Sequence, residues 1–147
     1  MKIYLDTCSL QRPLDSRTQI RIILEAEAVL GILRLCESDE VELISSEVLL
    51  FEIERNPNMT RRQFALEALS GAKALVALNE QVEKRARELD RAGIKPLDAL
   101  HLAAAEEATV DYLCTCDDRF LKQAQAIRGL KVKVISPIEA IEEIEKW

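Results

Sequence analysis

Residues 97–120, LDALHLAAAEEATVDYLCTCDDRF, contain the most informative pattern of the sequence. Residues 97–109 are rich in alanine and leucine and predict a compact buried helix, with Pro96 at a first-turn position. Residues 112–115 (YLCT) predict a short strand, and another helix is expected over residues 118–126. A strand between two helices, with acidic residues where the elements begin, is typical of a sheet with helices on both faces.

The same alternation extends to both ends of the chain. We predict further strands at residues 2–6, 41–45, 74–78 and 131–136, and further helices at residues 18–37, 47–55, 61–70, 80–92 and 138–146. A turn is expected at residues 7–16, helix N-caps at Ser46, Thr60 and Asn79, and helix ends at Gly71 and Gly93. The sequence therefore predicts one α/β domain over residues 1–147, with a mostly parallel sheet.

Composition narrows the class of protein. Apolar residues make up 48% of the chain and aromatic residues 4%, so the core must be aliphatic. No apolar run reaches the roughly 18 residues of a membrane helix, and the N-terminus lacks the features of a signal peptide. We therefore expect a cytoplasmic protein with no membrane partner. The four cysteines match no zinc or redox motif and are expected to be reduced thiols.

Four acidic residues lie at the beginnings or ends of predicted elements: Asp6, Glu52, Asp98 and Asp117. The carboxyl ends of parallel strands and the helix starts that follow them share one edge of the sheet, where ligands usually bind. Each acid alone has an ordinary explanation as a cap, a turn residue or an ion-pair partner. Together at one edge, such carboxylates repel one another and normally require a cation. The set therefore predicts a hard-cation site.

In order along the chain, IYLDT at residues 3–7, Ser46 before Glu52, DALHLA at residues 98–103 and TCDDRF at residues 115–120 resemble the PIN-domain nuclease family. The resemblance covers essentially the whole chain. It implies a three-layer α/β/α fold whose clustered acids bind Mg²⁺ or Mn²⁺ and cut RNA phosphodiester bonds. In single-domain relatives of this size, it further implies the toxin of a VapBC-type toxin–antitoxin pair, with a small antitoxin partner and a homodimer.

The resemblance also assigns roles to residues. Asp6, Glu52, Asp98 and Asp117 would be the catalytic acids and metal ligands. Thr115 would be a supporting hydroxyl and Ser46 a helix-capping one, while Asp118 competes with Asp117 for either role. One departure from the family pattern is that Cys8 and Ser9 stand where such domains often carry Asn or Ser.

The formal net charge of −6 does not suit a nucleic-acid protein as a whole, although basic residues are unevenly placed. Arginines cluster early in the chain and after the second acid, either as solvated helix faces or as phosphate contacts. The candidates for phosphate contact are Arg12, Arg17, Arg55, Arg61 and Arg62.

Other interpretations remain open at this level. His101, the only histidine, is either a packed residue that supports the site or a catalytic acid. An adventitious zinc site with Cys8, Cys116 and His101 lacks a ligand-spacing motif. A PIN-like module that only binds RNA or protein is the main alternative function. An aspartate-nucleophile phosphohydrolase is a weaker one, because position 8 would then require an acid rather than cysteine.

Overall fold

Five parallel strands form the central sheet of the computed structural model, which describes all residues from Met1 to Trp147. The strands are β1 (Lys2–Leu5), β2 (Glu42–Ser46), β3 (Ala74–Val76), β4 (Tyr112–Cys114) and β5 (Lys133–Ile135). Their order is β3-β2-β1-β4-β5, and every neighbouring pair is parallel. This sheet confirms the predicted α/β fold class, and it brings the carboxyl ends of all five strands to one edge.

Eight helices connect and cover the strands. They are α1 (Thr7–Gln11), α2 (Ile20–Glu37), α3 (Glu47–Glu54), α4 (Met59–Leu69), α5 (Glu80–Arg91), α6 (Pro96–Glu107), α7 (Asp118–Gln125) and α8 (Pro137–Lys146), with a short 3-10 turn at Arg12–Leu14. The crossover from β1 to β2 runs one way along the sheet and that from β3 to β4 runs back. Because crossovers are right-handed, these two connections place their helices on opposite faces. None of the helices is both long and apolar enough to span a membrane.

The core is aliphatic, as the composition predicts. Central strand β1 is fully buried at Ile3, Tyr4 and Leu5, and α6 packs nearby through a run of small buried residues at 103–105. Phe120 is the only phenylalanine that is fully buried. Small alanine side chains let a helix approach its neighbours closely, so α6 lies deep in the molecule with its first turn at the carboxyl edge of the sheet.

Several local predictions are confirmed and three are wrong. Ser46 and Asn79 cap α3 and α5 as expected. The predicted turn at residues 7–16 begins instead with helix α1, because the Asp6 side chain accepts the Ser9 N–H and caps it.

The predictions for α4 fail at both ends. Asn58 rather than Thr60 caps it, since the Asn58 side chain accepts the Arg61 N–H. At its other end the C-cap is Ser70, and Gly71 does not adopt the positive φ that favours glycine there.

Candidate active site

Asp6 is the most deeply buried of the predicted acids, with 4% of its surface exposed. It follows the central strand β1, and its Oδ1 accepts hydrogen bonds from the Ser9 N–H at 3.0 Å and from the Cys8 thiol at 3.1 Å. Burial raises the pKa of Asp6 well above its ordinary value. The capping bond orients the carboxylate, and the surroundings provide no cation to offset its charge.

Glu52 lies on α3 and is held by two donors on one oxygen. Its Oε1 accepts a hydrogen bond from the Thr7 hydroxyl, and His101 Nε2 lies 2.7 Å from the same atom. Partial burial raises the pKa of Glu52, but the hydrogen bonds from His101 and Thr7 outweigh it and keep the pKa below its ordinary value. Glu52 is therefore an ionised carboxylate in a set orientation, with Oε2 left free of these contacts.

A buried chain of hydrogen bonds holds the His101 ring at Nδ1, the nitrogen that does not contact Glu52. The Tyr4 hydroxyl lies 2.6 Å from His101 Nδ1 and 2.7 Å from Ser46 Oγ, which in turn accepts the Leu49 N–H. Burial raises the pKa of Tyr4, so its hydroxyl keeps its proton.

One proton arrangement satisfies every group in this chain. Ser46 donates to Tyr4, Tyr4 donates to Nδ1 of His101, and Nε2–H of His101 donates to the Glu52 carboxylate. In the reverse order, the Ser46 hydroxyl hydrogen would have no acceptor. In this arrangement His101 is a donor that orients Glu52. The sequence did not indicate that Tyr4 sets this role.

Asp98 occupies the first turn of α6 and has no hydrogen bond or ion pair within the protein. Burial raises its pKa, and the negative charges of Asp117 and Glu52 raise it further, while His101 and Lys95 act in the opposite direction. These electrostatic effects place Asp98 within range of two other predicted acids. An unpaired, partly buried carboxylate facing like charges is costly unless a cation is present.

Asp117 is exposed and caps α7. Its Oδ1 accepts the N–H groups of Arg119 and Phe120 at 2.9 and 3.2 Å, and its own N–H donates to Thr115 Oγ1 at 3.1 Å. Thr115 is buried, and its hydroxyl lowers the pKa of Asp6, so it links two of the predicted acids.

Asp118 points to another partner. Arg21 on α2 binds both its oxygens at 2.6 Å, and this guanidinium lowers the pKa of Asp118. Of the adjacent pair, Asp117 faces the other acids, whereas Asp118 joins α7 to α2.

The carboxylates of Asp6, Glu52, Asp98 and Asp117 each keep at least one oxygen without a protein hydrogen bond. No three His, Cys, Asp or Glu side chains are grouped tightly enough to hold a metal ion directly among them. Mg²⁺ commonly binds through one or two carboxylates and keeps several waters. Hard oxygen donors with free positions therefore fit a hydrated divalent cation, reached partly through water.

The predicted arginines fall into two groups. Arg12, Arg17 and Arg61 pair with carboxylates of Glu25, Glu27 or Asp15 at 2.9 to 3.1 Å.

Arg55 and Arg62 pair with no carboxylate. The Arg55 guanidinium stacks 4.2 Å above the exposed Phe51 ring, and Arg62 donates to the Asn56 carbonyl. Lys95 and Arg119 were not singled out from the sequence, although each is exposed and lies within three residues of a predicted acid.

Comparisons with known proteins agree with this architecture. A family model described as PIN domain matches residues 3–126. A chain from the structure of FitAB bound to an IR36 DNA fragment has a TM-score of 0.58 and 20% sequence identity, covering 92% of this chain and 95% of that one. A chain from VapBC2 of Rickettsia felis, bound to a DNA fragment from their promoter, has a TM-score of 0.58 and 14% identity, covering 92% and 98%. At these identities the two structures show a shared fold. No curated protein matches the chain significantly.

Proposed function

The chain belongs to the PIN domain family, whose members are generally nucleases, and we propose that it is a Mg²⁺- or Mn²⁺-dependent endoribonuclease. The proposal assigns Asp6, Glu52, Asp98 and Asp117 as the metal-binding and catalytic acids of one domain over residues 1–147. The observation that supports this proposal best is the set of carboxylate oxygens without a hydrogen bond. Asp98 is the clearest case, because its side chain makes no hydrogen bond or ion pair within the protein. We also propose that the protein acts in the cytoplasm.

Each acid contributes a distinct property to such a site. Asp6 and Asp98 have raised pKa values, so a bound cation would stabilise the ionised forms that the metal-free fold disfavours. Glu52 is already ionised and oriented by His101 and Thr7, which suits it to position a water or a ligand. When bound, the divalent ion would supply an activated water and neutralise charge on the scissile phosphate. The protein itself then needs no nucleophile.

Phosphate contacts would come from cations that are not already neutralised. Lys95 and Arg119 flank the first turns of α6 and α7, next to Asp98 and Asp117. Arg12, Arg17 and Arg61 are less suited, because each is held by a carboxylate. A local group of free cations beside the acids would let a chain of net charge −6 bind the RNA backbone.

We propose that the nuclease is the toxin of a toxin–antitoxin pair. A VapBC2 chain is among the structures that share its fold, and single-domain PIN proteins of this size resemble VapBC-type toxins. Exposed apolar side chains on α2 offer surface for a small antitoxin or for a second copy of the chain in a homodimer: Ile20, Ile23 and Leu24.

The direct test is cleavage of a panel of labelled RNAs by wild type and Asp98→Asn, with Mg²⁺, Mn²⁺ or EDTA. Asp90→Asn is the matched control, because Asp90 is exposed on α5 and its side chain makes no hydrogen bond or ion pair. We expect cleavage that requires metal, persists in the control and falls at least about a hundredfold in Asp98→Asn. Equal cleavage by all three proteins would reject the site. Failure to cut any RNA would favour a PIN-like binding module.

A further inference from the structure

Two cysteines that are 108 residues apart meet beside Asp6. Cys8 lies in the first turn of α1 and is exposed, while Cys116 follows β4 and is 6% exposed. The parallel pairing of β1 with β4 places Leu5 opposite Cys114, so the segments that leave the two strands run side by side. The Cys116 N–H donates to Cys8 Sγ at 3.4 Å, so the Cys8 side chain lies directly against the Cys116 backbone.

The geometry suits a covalent bond between the two sulfurs. A disulfide forms only when the two backbones are already close and the side chains face each other. Cys8 Sγ already touches the backbone of Cys116, and Ser9 Oγ lies 3.8 Å from Cys116 Sγ on the same side. The other two cysteines, Cys36 and Cys114, are buried and have no thiol partner. They therefore serve as internal comparators.

We propose that Cys8 and Cys116 form a reversible oxidation site that takes hydroperoxides. The exposed Cys8 sulfur attacks the peroxide O–O bond and becomes a sulfenic acid, releasing an alcohol, or water when the oxidant is hydrogen peroxide. The Cys116 sulfur then displaces hydroxide from Cys8, forming the S–S bond, and water leaves. In total, two thiols lose two electrons and two protons, and one peroxide is reduced. Solvent access and a neighbouring resolving cysteine are two of the features found at redox-sensing sites.

The bond would alter the candidate active site. Cys8 Sγ lies 3.1 Å from Oδ1 of the acid Asp6 and 3.5 Å from Oγ1 of Thr115, the hydroxyl that accepts the Asp117 N–H. Oxidation removes the S–H donor from Asp6 and ties α1 to the turn that carries Asp117. Displacements of about 1 Å at a catalytic group can cost about a hundredfold in rate. This consequence for cleavage rests on the proposed function, whereas formation of the disulfide does not.

The test treats the purified full chain with hydrogen peroxide and measures the product before and after dithiothreitol. We expect free thiols to fall from four to two and the intact mass to fall by about 2 Da. Fragmentation of the linked peptides should join Cys8 to Cys116 and leave Cys114 free. The disulfide should be absent from Cys8→Ser and Cys116→Ser and present in Cys36→Ser. RNA cleavage by wild type should fall at least tenfold on oxidation and recover with dithiothreitol.

The proposal is overturned if both thiols stay reduced while other cysteines oxidise, whereas a mapped Cys8–Cys116 bond that leaves cleavage unchanged would overturn only its effect on the candidate active site. If the reduced protein cleaves no RNA, the proposed function fails separately. In that case, the peptide map and the melting temperature of the oxidised protein still test whether Cys8 and Cys116 form a disulfide.

Discussion

Replacing Tyr4 with phenylalanine removes one buried hydroxyl that makes two hydrogen bonds. Tyr4 is fully buried, and its hydroxyl lies 2.6 Å from His101 Nδ1 and 2.7 Å from Ser46 Oγ. In Tyr4→Phe, Nδ1 loses its donor and the Ser46 hydroxyl loses its acceptor, while the aromatic ring still fills its space. Each of the two unsatisfied buried groups costs about 1–3 kcal/mol, so we expect a loss of about 2–6 kcal/mol in the free energy of unfolding.

The assay is thermal and urea unfolding of the metal-free protein. For a chain of about 150 residues, 1 kcal/mol corresponds to roughly 2–4 °C in melting temperature, so Tyr4→Phe should melt about 4–24 °C lower. Tyr112→Phe is the matched control, because it removes one hydrogen bond to Glu143 from a partly exposed tyrosine. We expect the control to cost less than about 1 kcal/mol.

A double-mutant cycle tests the proposed order of donors. Ser46→Ala removes both the donor to Tyr4 and the cap of α3, at about 1 kcal/mol for the cap alone. If the chain is linked as described, Tyr4→Phe with Ser46→Ala costs less than the sum of the single changes, since the orphaned hydroxyl is gone. Wild-type stability of Tyr4→Phe, or strict additivity in the cycle, would show that Tyr4 does not link Ser46 to His101.

Three further substitutions and one control test the electrostatics of the site. Because burial raises the pKa of Asp98 above 3.8, its contribution to the stability of the metal-free protein is present below that pH and lost as pH rises through the raised pKa. The melting temperature of Asp98→Asn minus that of wild type should therefore increase from about pH 4 to about pH 7, and a constant difference would contradict this pKa shift. Lys95→Gln and Arg119→Gln should each raise the KM for RNA about two- to tenfold with kcat unchanged and weaken its salt dependence. Lys73→Gln, on a lysine already paired with Asp39, should change neither quantity.

Much of the architecture could be predicted from the sequence because local signals agree with one another. Strands alternate with helices throughout, and Ser46, Asn79 and Pro96 mark helix starts through backbone preferences that act locally. The position of the acids at one edge follows from the parallel order of the strands. The wrong cap at Thr60 shows the limit, since Asn58 two residues earlier competes for the same backbone donors.

Contacts between distant segments could not be predicted in this way. Tyr4 and His101 are 97 residues apart, and Tyr4 looks like an ordinary residue of a buried strand until the fold brings them together. The pairing of Asp118 with Arg21 likewise depends on how α7 packs beside α2. Helical periodicity gives no information on which arginine is neutralised, and for this reason the sequence could not separate Arg55 from Arg12.

Direct Mn²⁺ binding, measured by electron paramagnetic resonance, tests whether the four carboxylates bind a hard divalent cation. We expect wild type and Asp90→Asn to bind Mn²⁺ that Mg²⁺ displaces, and Asp98→Asn to bind it at least about tenfold more weakly. The same titration should stabilise wild type by about 2.7 kcal/mol at a hundred times the Kd. Equal Mn²⁺ affinity in wild type and Asp98→Asn would show that Asp98 is not a metal ligand.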